Sequence, residues 1–190
     1  KANGTSTIDF PMHWAFKDAS SAFGAAKSED SLYNDATWAV TYVDSHDYGP
    51  DGQEKTRYQG GASAWAENMD LMFTFRGIPC IYYGSEIEFK KDVPIDVGPN
   101  APLDKTGRAY FGDHLEGSVT ASDYGKYTAS GTVASTLDAP LSKHLEKLNQ
   151  IRRAVPALQK GQYTTDSNYV SGNMAYIRRY TNSSEGVDSL

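Results

Sequence analysis

The chain has 190 residues, 39% of them hydrophobic, and a net charge of −6 from 18 Lys and Arg against 24 Asp and Glu, a size suited to one domain or part of a larger one. The basic pairs Arg152-Arg153 and Arg178-Arg179 are short and form no stripe, so no nucleic-acid partner is expected; nor does any run approach the roughly 18 apolar residues that span a bilayer, so no membrane partner is expected. Leu, Ile, Val and Phe together number 33, but 13 Tyr and 3 Trp add large buriable areas, which favours a packed core over disorder.

Hydrophobic periodicity gives three repeats of strand followed by helix, the pattern of a parallel sheet covered by helices. The first strand is expected near Ser6 to Phe10. Asp9 can cap the next helix with Pro11 in its first turn, and Met12, Phe16, Ala19 and Phe23 mark one amphipathic face. The second strand runs from about Trp38 to Asp44, near-continuously apolar and β-branched, as expected when both faces are covered. Beyond the turn residues Gly49-Pro50-Asp51-Gly52, Trp65, Met69, Met72 and Phe73 mark the second helix. The third strand is Ile78 to Tyr83, ended by Gly84. Its lone Cys80 excludes an internal disulfide and is expected to be an inert, buried thiol.

An insertion at about 90–138, rich in Gly, Ser, Thr, Asp and Tyr, is far longer than an ordinary connection and points to a functional loop. Asp138 and Pro140 start the third helix, whose apolar face is Leu141, Leu145, Leu148, Ile151 and Val155, and Pro156 stops it. After Gly161 the segments Gln162 to Tyr169 and Asn173 to Tyr180 alternate like antiparallel strands of a second, all-β domain. The boundary falls near Leu158, giving domains of 1–158 and 159–190.

In parallel α/β architectures, active sites form at the carboxyl ends of strands. The second strand ends in Val43-Asp44-Ser45-His46-Asp47, two carboxylates and an imidazole on one rim. Alone, such residues equally suit a cap or turn. The third strand, Gly77-Ile78-Pro79-Cys80-Ile81-Tyr82-Tyr83-Gly84-Ser85-Glu86, ends at the same rim. Together the two segments closely resemble the last two barrel strands of the α-amylase family, glycoside hydrolase family 13, whose seventh strand ends in a motif like FVDNHD and whose eighth reads GIPxxYYGxE. The resemblance extends along the chain: Thr7 to Pro11 is similar to the family's sixth strand, Leu145 to Leu158 to its eighth helix, and Asn173 to Tyr180 to an early strand of its C-terminal β domain.

This resemblance implies an α/β fold: the C-terminal portion, about three β/α units, of a TIM (β/α)8 barrel, followed by the start of an antiparallel β domain. Such a barrel needs about 250 residues, so the sequence is expected to be a segment of a longer protein with the rest of the barrel upstream. The alternative, a self-sufficient three-stranded α/β domain, leaves unpaired strand edges. Carried over residue by residue, the resemblance makes Asp47 the third catalytic carboxylate, which stabilises the transition state without forming the covalent bond, and His46 a substrate ligand. Ser45 stands where the family usually has Asn, and Asp44 is expected to be structural. Asp104-Lys105-Thr106-Gly107-Arg108 repeats a D-x-x-x-R spacing, implying that Asp104 and Arg108 hold sugar at subsites −2 and −3; an ion pair on a surface loop is an equal alternative. Tyr110 and Phe111 fit either a stacking face for sugar or loop packing.

No motif supplies the nucleophilic and acid/base carboxylates that the family carries on its fourth and fifth strands, so the segment alone is expected to be inactive. Calcium (Ca2+) is implied by the resemblance, with ligands mostly outside this chain and none assigned within it. His13, His114 and His144 are too scattered for zinc, and Asp92, Asp96, Asp104 and Asp113 too irregular for an EF-hand. The function implied is that of a retaining α-glucan hydrolase of α-amylase type, cleaving α-1,4-glucosidic bonds in starch or maltooligosaccharides. The alternatives are a glucanotransferase of the same family and a non-catalytic barrel that binds carbohydrate or a protein partner. An extracellular location is expected from the polymeric substrate.

Overall fold

In the computed structural model, which describes residues 6–91, 93–95, 102–109, 117–119, 129–131 and 137–190, Asp9 caps helix α1 (Phe10–Ala15) by accepting from the Met12 N–H at 3.2 Å. Pro11 sits in the first turn, where its missing N–H breaks no ladder bond. The single helix expected here is two. The chain breaks at residues 16–18, and Asp18 caps α2 (Ala19–Ser28) by accepting from the Ser21 N–H at 2.7 Å. Met12, Phe16, Ala19 and Phe23 are nevertheless all buried, because α1 and α2 pack against each other.

All three strands are shorter than their apolar runs suggest. Ser6 to Phe10 contributes one parallel bridge, Ile8 to Val40. Trp38 to Asp44 yields β1 (Val40–Thr41), because Asp35 caps a 3₁₀ turn over Ala36–Trp38 immediately before it. The third run yields β2 (Ile78–Pro79), with the N–H groups of Ile78 and Cys80 donating to Ala39 O and Thr41 O, both at 2.8 Å, while Pro79 stands at the position that faces away from β1. β1 and β2 pair in parallel, Val40 opposite Ile78 and Thr41 opposite Pro79. Three segments thus lie side by side, joined by Val40 N–H to Thr7 O at 2.7 Å and Ile78 N–H to Ala39 O at 2.8 Å.

Helix α3 (Ala62–Thr74) buries Trp65, Met69, Met72 and Phe73, as the periodicity predicts. Within the long connection, β3 (Gly117–Val119) and β4 (Ala129–Gly131) form an antiparallel pair. Helix α4 (Pro140–Ala154) begins with Pro140 in its first turn and Ala139 at the N-cap position without a side-chain cap, while Asp138 pairs with Lys143 at 3.0 Å. Pro156 ends α4 and at the same time opens α5 (Pro156–Lys160), since proline is tolerated in a first turn. The chain then forms an antiparallel sheet of β5 (Gln162–Thr164), β6 (Ile177–Asn182) and β7 (Val187–Ser189), in that order. β7 has no counterpart among the sequence expectations.

The core lies on one side of the parallel strands, where Met12, Phe16, Phe23, Trp65, Met69 and Phe75 pack with Leu141 and Leu148 of α4. The opposite face is open among the described residues: Ile8 and Ile78 are exposed. Cys80 is exposed with them, which corrects the expectation of a buried thiol, because the helices cover only the other face. Buried arginines tie the C-terminal sheet to the helices. Arg178 donates to Gly161 O at 2.7 and 3.1 Å and to Phe75 O at 2.8 Å, and fully buried Arg76 joins Asp9, Asp30 and the Tyr163 hydroxyl, each at 2.9 Å. No helix of the described residues is long and apolar enough to cross a membrane.

Candidate active site

Tyr42, Val43 and Asp44 leave β1 buried, and the chain then surfaces at His46 and Asp47. Ser45 makes this turn. Its hydroxyl accepts from the N–H groups of Asp47 at 3.0 Å and Tyr48 at 3.1 Å, and its own N–H donates to Tyr48 O at 3.0 Å. Ser45 therefore carries the local geometry. His46 Nε2 lies 3.2 Å from Asp47 Oδ2. Arg108 reaches across from the long connection, its Nε donating to His46 O at 2.6 Å and its Nη2 to Asp47 Oδ1 at 3.4 Å.

Three of the four residues singled out in the sequence thus meet. Asp104 lies in a 3₁₀ turn, Leu103–Lys105; its side chain is outside the described residues, as are Tyr110 and Phe111. The rim opens into a trough of about 490 Å³ whose walls include Phe10, Tyr42, Tyr48 and Tyr82 beside His46 and Asp47. Trp14 extends the aromatic wall, its ring centroid 5.4 Å from that of Tyr48. Aromatic faces next to a carboxylate, an imidazole and a guanidinium suit a sugar ring, whose C–H faces stack while its hydroxyls hydrogen-bond.

Behind this wall His13 is buried, with its ring stacked 4.1 Å from Tyr42. Its Nδ1 lies 2.9 Å from Val43 O, which fixes the tautomer with the proton on Nδ1, and its Nε2 has no hydrogen-bond partner among the described residues. Burial pushes its pKa down to about 4, so the ring is neutral. The Tyr42 hydroxyl is held above its ordinary pKa, first by burial and then by the nearby Asp47 charge.

Beneath the rim is a buried ion pair that the sequence did not reveal. Arg57 Nε donates to Asp44 Oδ2 at 2.9 Å, and both side chains are 2% exposed. Asp44, expected to be structural, is thereby occupied, and Ser85 Oγ donates to its second oxygen at 2.7 Å. Asp47 is therefore the accessible carboxylate of the trough among the described residues. One such group can stabilise developing positive charge or hold hydroxyls, but a retaining double displacement needs two more carboxylates. No group of three or more His, Cys, Asp and Glu side chains among the described residues is arranged to hold a metal ion. The calcium implied by the resemblance has no ligand set among the described residues.

No protein-family model matches the chain. The chain is 28% identical over 176 residues to the α-amylase of Streptomyces lividans, a match spanning 84% of this chain and 18% of that protein. Among solved structures it is similar to the α-amylase of Geobacillus thermoleovorans complexed with acarbose, with a TM-score of 0.50 and 18% identity over 84% of this chain and 31% of the other. It is also similar to a cyclomaltodextrin glucanotransferase with a three-domain ABC distribution, with a TM-score of 0.54 and 21% identity over 86% of this chain and 28% of the other. The chain thus spans less than a third of each of these proteins. The structural likeness is one of fold, matching the parallel strand–helix units to part of an α-amylase barrel.

Proposed function

From the premise that this chain resembles the α-amylase family over most of its length, we propose that it is the C-terminal part of a (β/α)8 catalytic barrel, with the start of a β domain, from a retaining α-glucan hydrolase. Its substrates are the α-1,4-glucosidic bonds of starch-like polymers and maltooligosaccharides. The observation that carries this reading is the Asp47 carboxylate at the mouth of an aromatic trough, in contact with His46 and Arg108.

The glucosyl ring flattens and gains positive charge as the bond breaks. A fixed carboxylate, with donors to the neighbouring hydroxyls, binds that distorted ring better than the relaxed chair, which lowers the barrel's barrier to reaction. In this reading Asp47 assists both halves of a double displacement, and His46, Arg108 and Asp104 hold sugar hydroxyls. The nucleophile and the acid/base group come from outside this chain. In this reading the open strand face around Ile8 and Ile78 looks into the barrel interior, and further strands pair at the free edges of the three segments. We place the family's calcium outside the described residues and the protein outside the cell, where its polymeric substrate is found.

In the full-length polypeptide, Asp47→Asn is expected to lower kcat by on the order of a hundredfold or more with the thermal midpoint unchanged. Near-normal turnover would remove Asp47 from the mechanism. The likeness to a glucanotransferase fold favours transfer to a second sugar as the second reading. Products from maltooligosaccharides separate the two: steadily rising reducing ends mean hydrolysis, and longer or cyclic products mean transfer. A full-length protein that binds these sugars without cleaving them is a binding barrel.

A further inference from the structure

Arg57 is 1% exposed, yet its guanidinium contacts three segments that build the rim. Nε donates to Asp44 Oδ2 at 2.9 Å, on the loop that carries His46 and Asp47. Nη2 donates to Tyr83 O and Ser85 Oγ, both at 3.0 Å, at the end of the next strand segment. Nη1 donates to Gly107 O at 3.2 Å, one residue before Arg108. Its face lies 4.4 Å from the centroid of the Tyr82 ring, which lines the trough. Gly107 sits so close that a Cβ there would stand 3.0 Å from Arg57 Cγ.

A buried ion pair is weak evidence for net stability, because desolvation offsets much of the attraction. A planar fork with donors in fixed directions does something an apolar side chain cannot: it sets the relative positions of the groups that accept from it. We infer that Arg57 is a positioning residue that fixes the spacing between Asp47 and Arg108, and through that spacing the hold on the sugar. The inference rests on the α-glucan reading above. Arg57 touches neither Asp47 nor the open trough, and acts through Asp44 and Gly107.

The test uses the full-length polypeptide and four variants: Arg57→Lys, Arg108→Ala, their combination, and Asp44→Asn with Arg57→Gln. Lysine keeps the charge beside Asp44 but not the simultaneous reach to Tyr83 O and Gly107 O. Arg57→Lys is expected to keep its thermal midpoint within a few degrees and to lose on the order of tenfold or more in kcat/KM on maltooligosaccharides. Adding Arg108→Ala to Arg57→Lys is expected to cost little beyond Arg108→Ala alone, because the two act as one unit. The neutral pair, with no carboxylate left unpaired, keeps the fold without restoring kcat/KM.

Hydrogen exchange reads the geometry without reference to turnover. Peptides covering 44–48 and 102–109 should exchange faster in Arg57→Lys, while α3 does not change. Unchanged exchange in those two peptides, additive losses in the double variant, or activity that simply tracks the thermal midpoint overturns the inference. A wild type without α-glucan activity, together with faster exchange in both peptides of the variant, instead retires the α-glucan reading and leaves the positioning role of Arg57 supported.

Discussion

His13, on α1, is 0% exposed, with its Nδ1–H given to Val43 O and its ring against Tyr42. Burial is the largest influence on its pKa and lowers it from 6.5 to about 4. Because the folded value is below the unfolded one, the contribution to stability is fully present above about pH 6.5. It is lost as pH falls towards about 4, where the folded ring also becomes protonated. The amount at stake is about 3 kcal/mol at roughly 1.4 kcal/mol per pH unit. The thermal midpoint is expected to fall over that window, and His13→Phe, which has nothing to titrate, should show a shallower fall. Identical pH profiles for the two proteins would mean that the ring is protonated as readily in the fold as in the unfolded chain.

The close approach of β1 and β2 depends on Gly77. Its φ is +82°, and a Cβ would lie 2.6 Å from Ala39 O and 2.8 Å from Thr41 Cγ2. Gly77→Ala should therefore cost more than about 1 kcal/mol in urea titration; an unchanged midpoint would show that the strands can separate without penalty. Elements of this scale were legible in the sequence to different degrees. The four-and-three spacing of Trp65, Met69, Met72 and Phe73 marks α3 because a helix buries one face. The break between α1 and α2 leaves the apolar face continuous and so is hidden from periodicity, although Asp18 followed by Ser21 is a capping signal. The strands are shorter than their apolar runs, because an apolar run reports burial and not pairing. β7 is three residues in a polar stretch and leaves no periodic trace. At the site, His46, Asp47 and Arg108 were found through motif resemblance. Arg57 was not, since a single arginine in a polar loop acquires a role only when distant segments meet around it.

Across the whole molecule, two buried arginines join the C-terminal sheet to the helices, and a half-buried third, Arg152, joins α4 to the end of α3. Arg76 links Asp9 to Tyr163, Arg178 links Gly161 to Phe75, and Arg152 donates to Phe73 O at 2.7 Å and Gly77 O at 3.0 Å. The bonds from Arg178 to Phe75 O and from Arg152 to Phe73 O satisfy carbonyls at the end of α3 that the helix itself cannot. The sheet and helices are therefore expected to unfold in one transition, coincident by near- and far-ultraviolet circular dichroism. Arg178→Met, which abandons buried carbonyls, should cost on the order of 2 kcal/mol, whereas an unaltered midpoint would show that the sheet is only loosely attached. The guanidinium of Arg57 joins partners 13, 26 and 50 residues away along the chain. Closing such loops consumes chain entropy that the helices, built from near neighbours, do not spend. During refolding the helical layer is therefore expected to form early and the mouth of the trough last, and on warming that mouth is expected to loosen while the rest of the molecule still holds its shape.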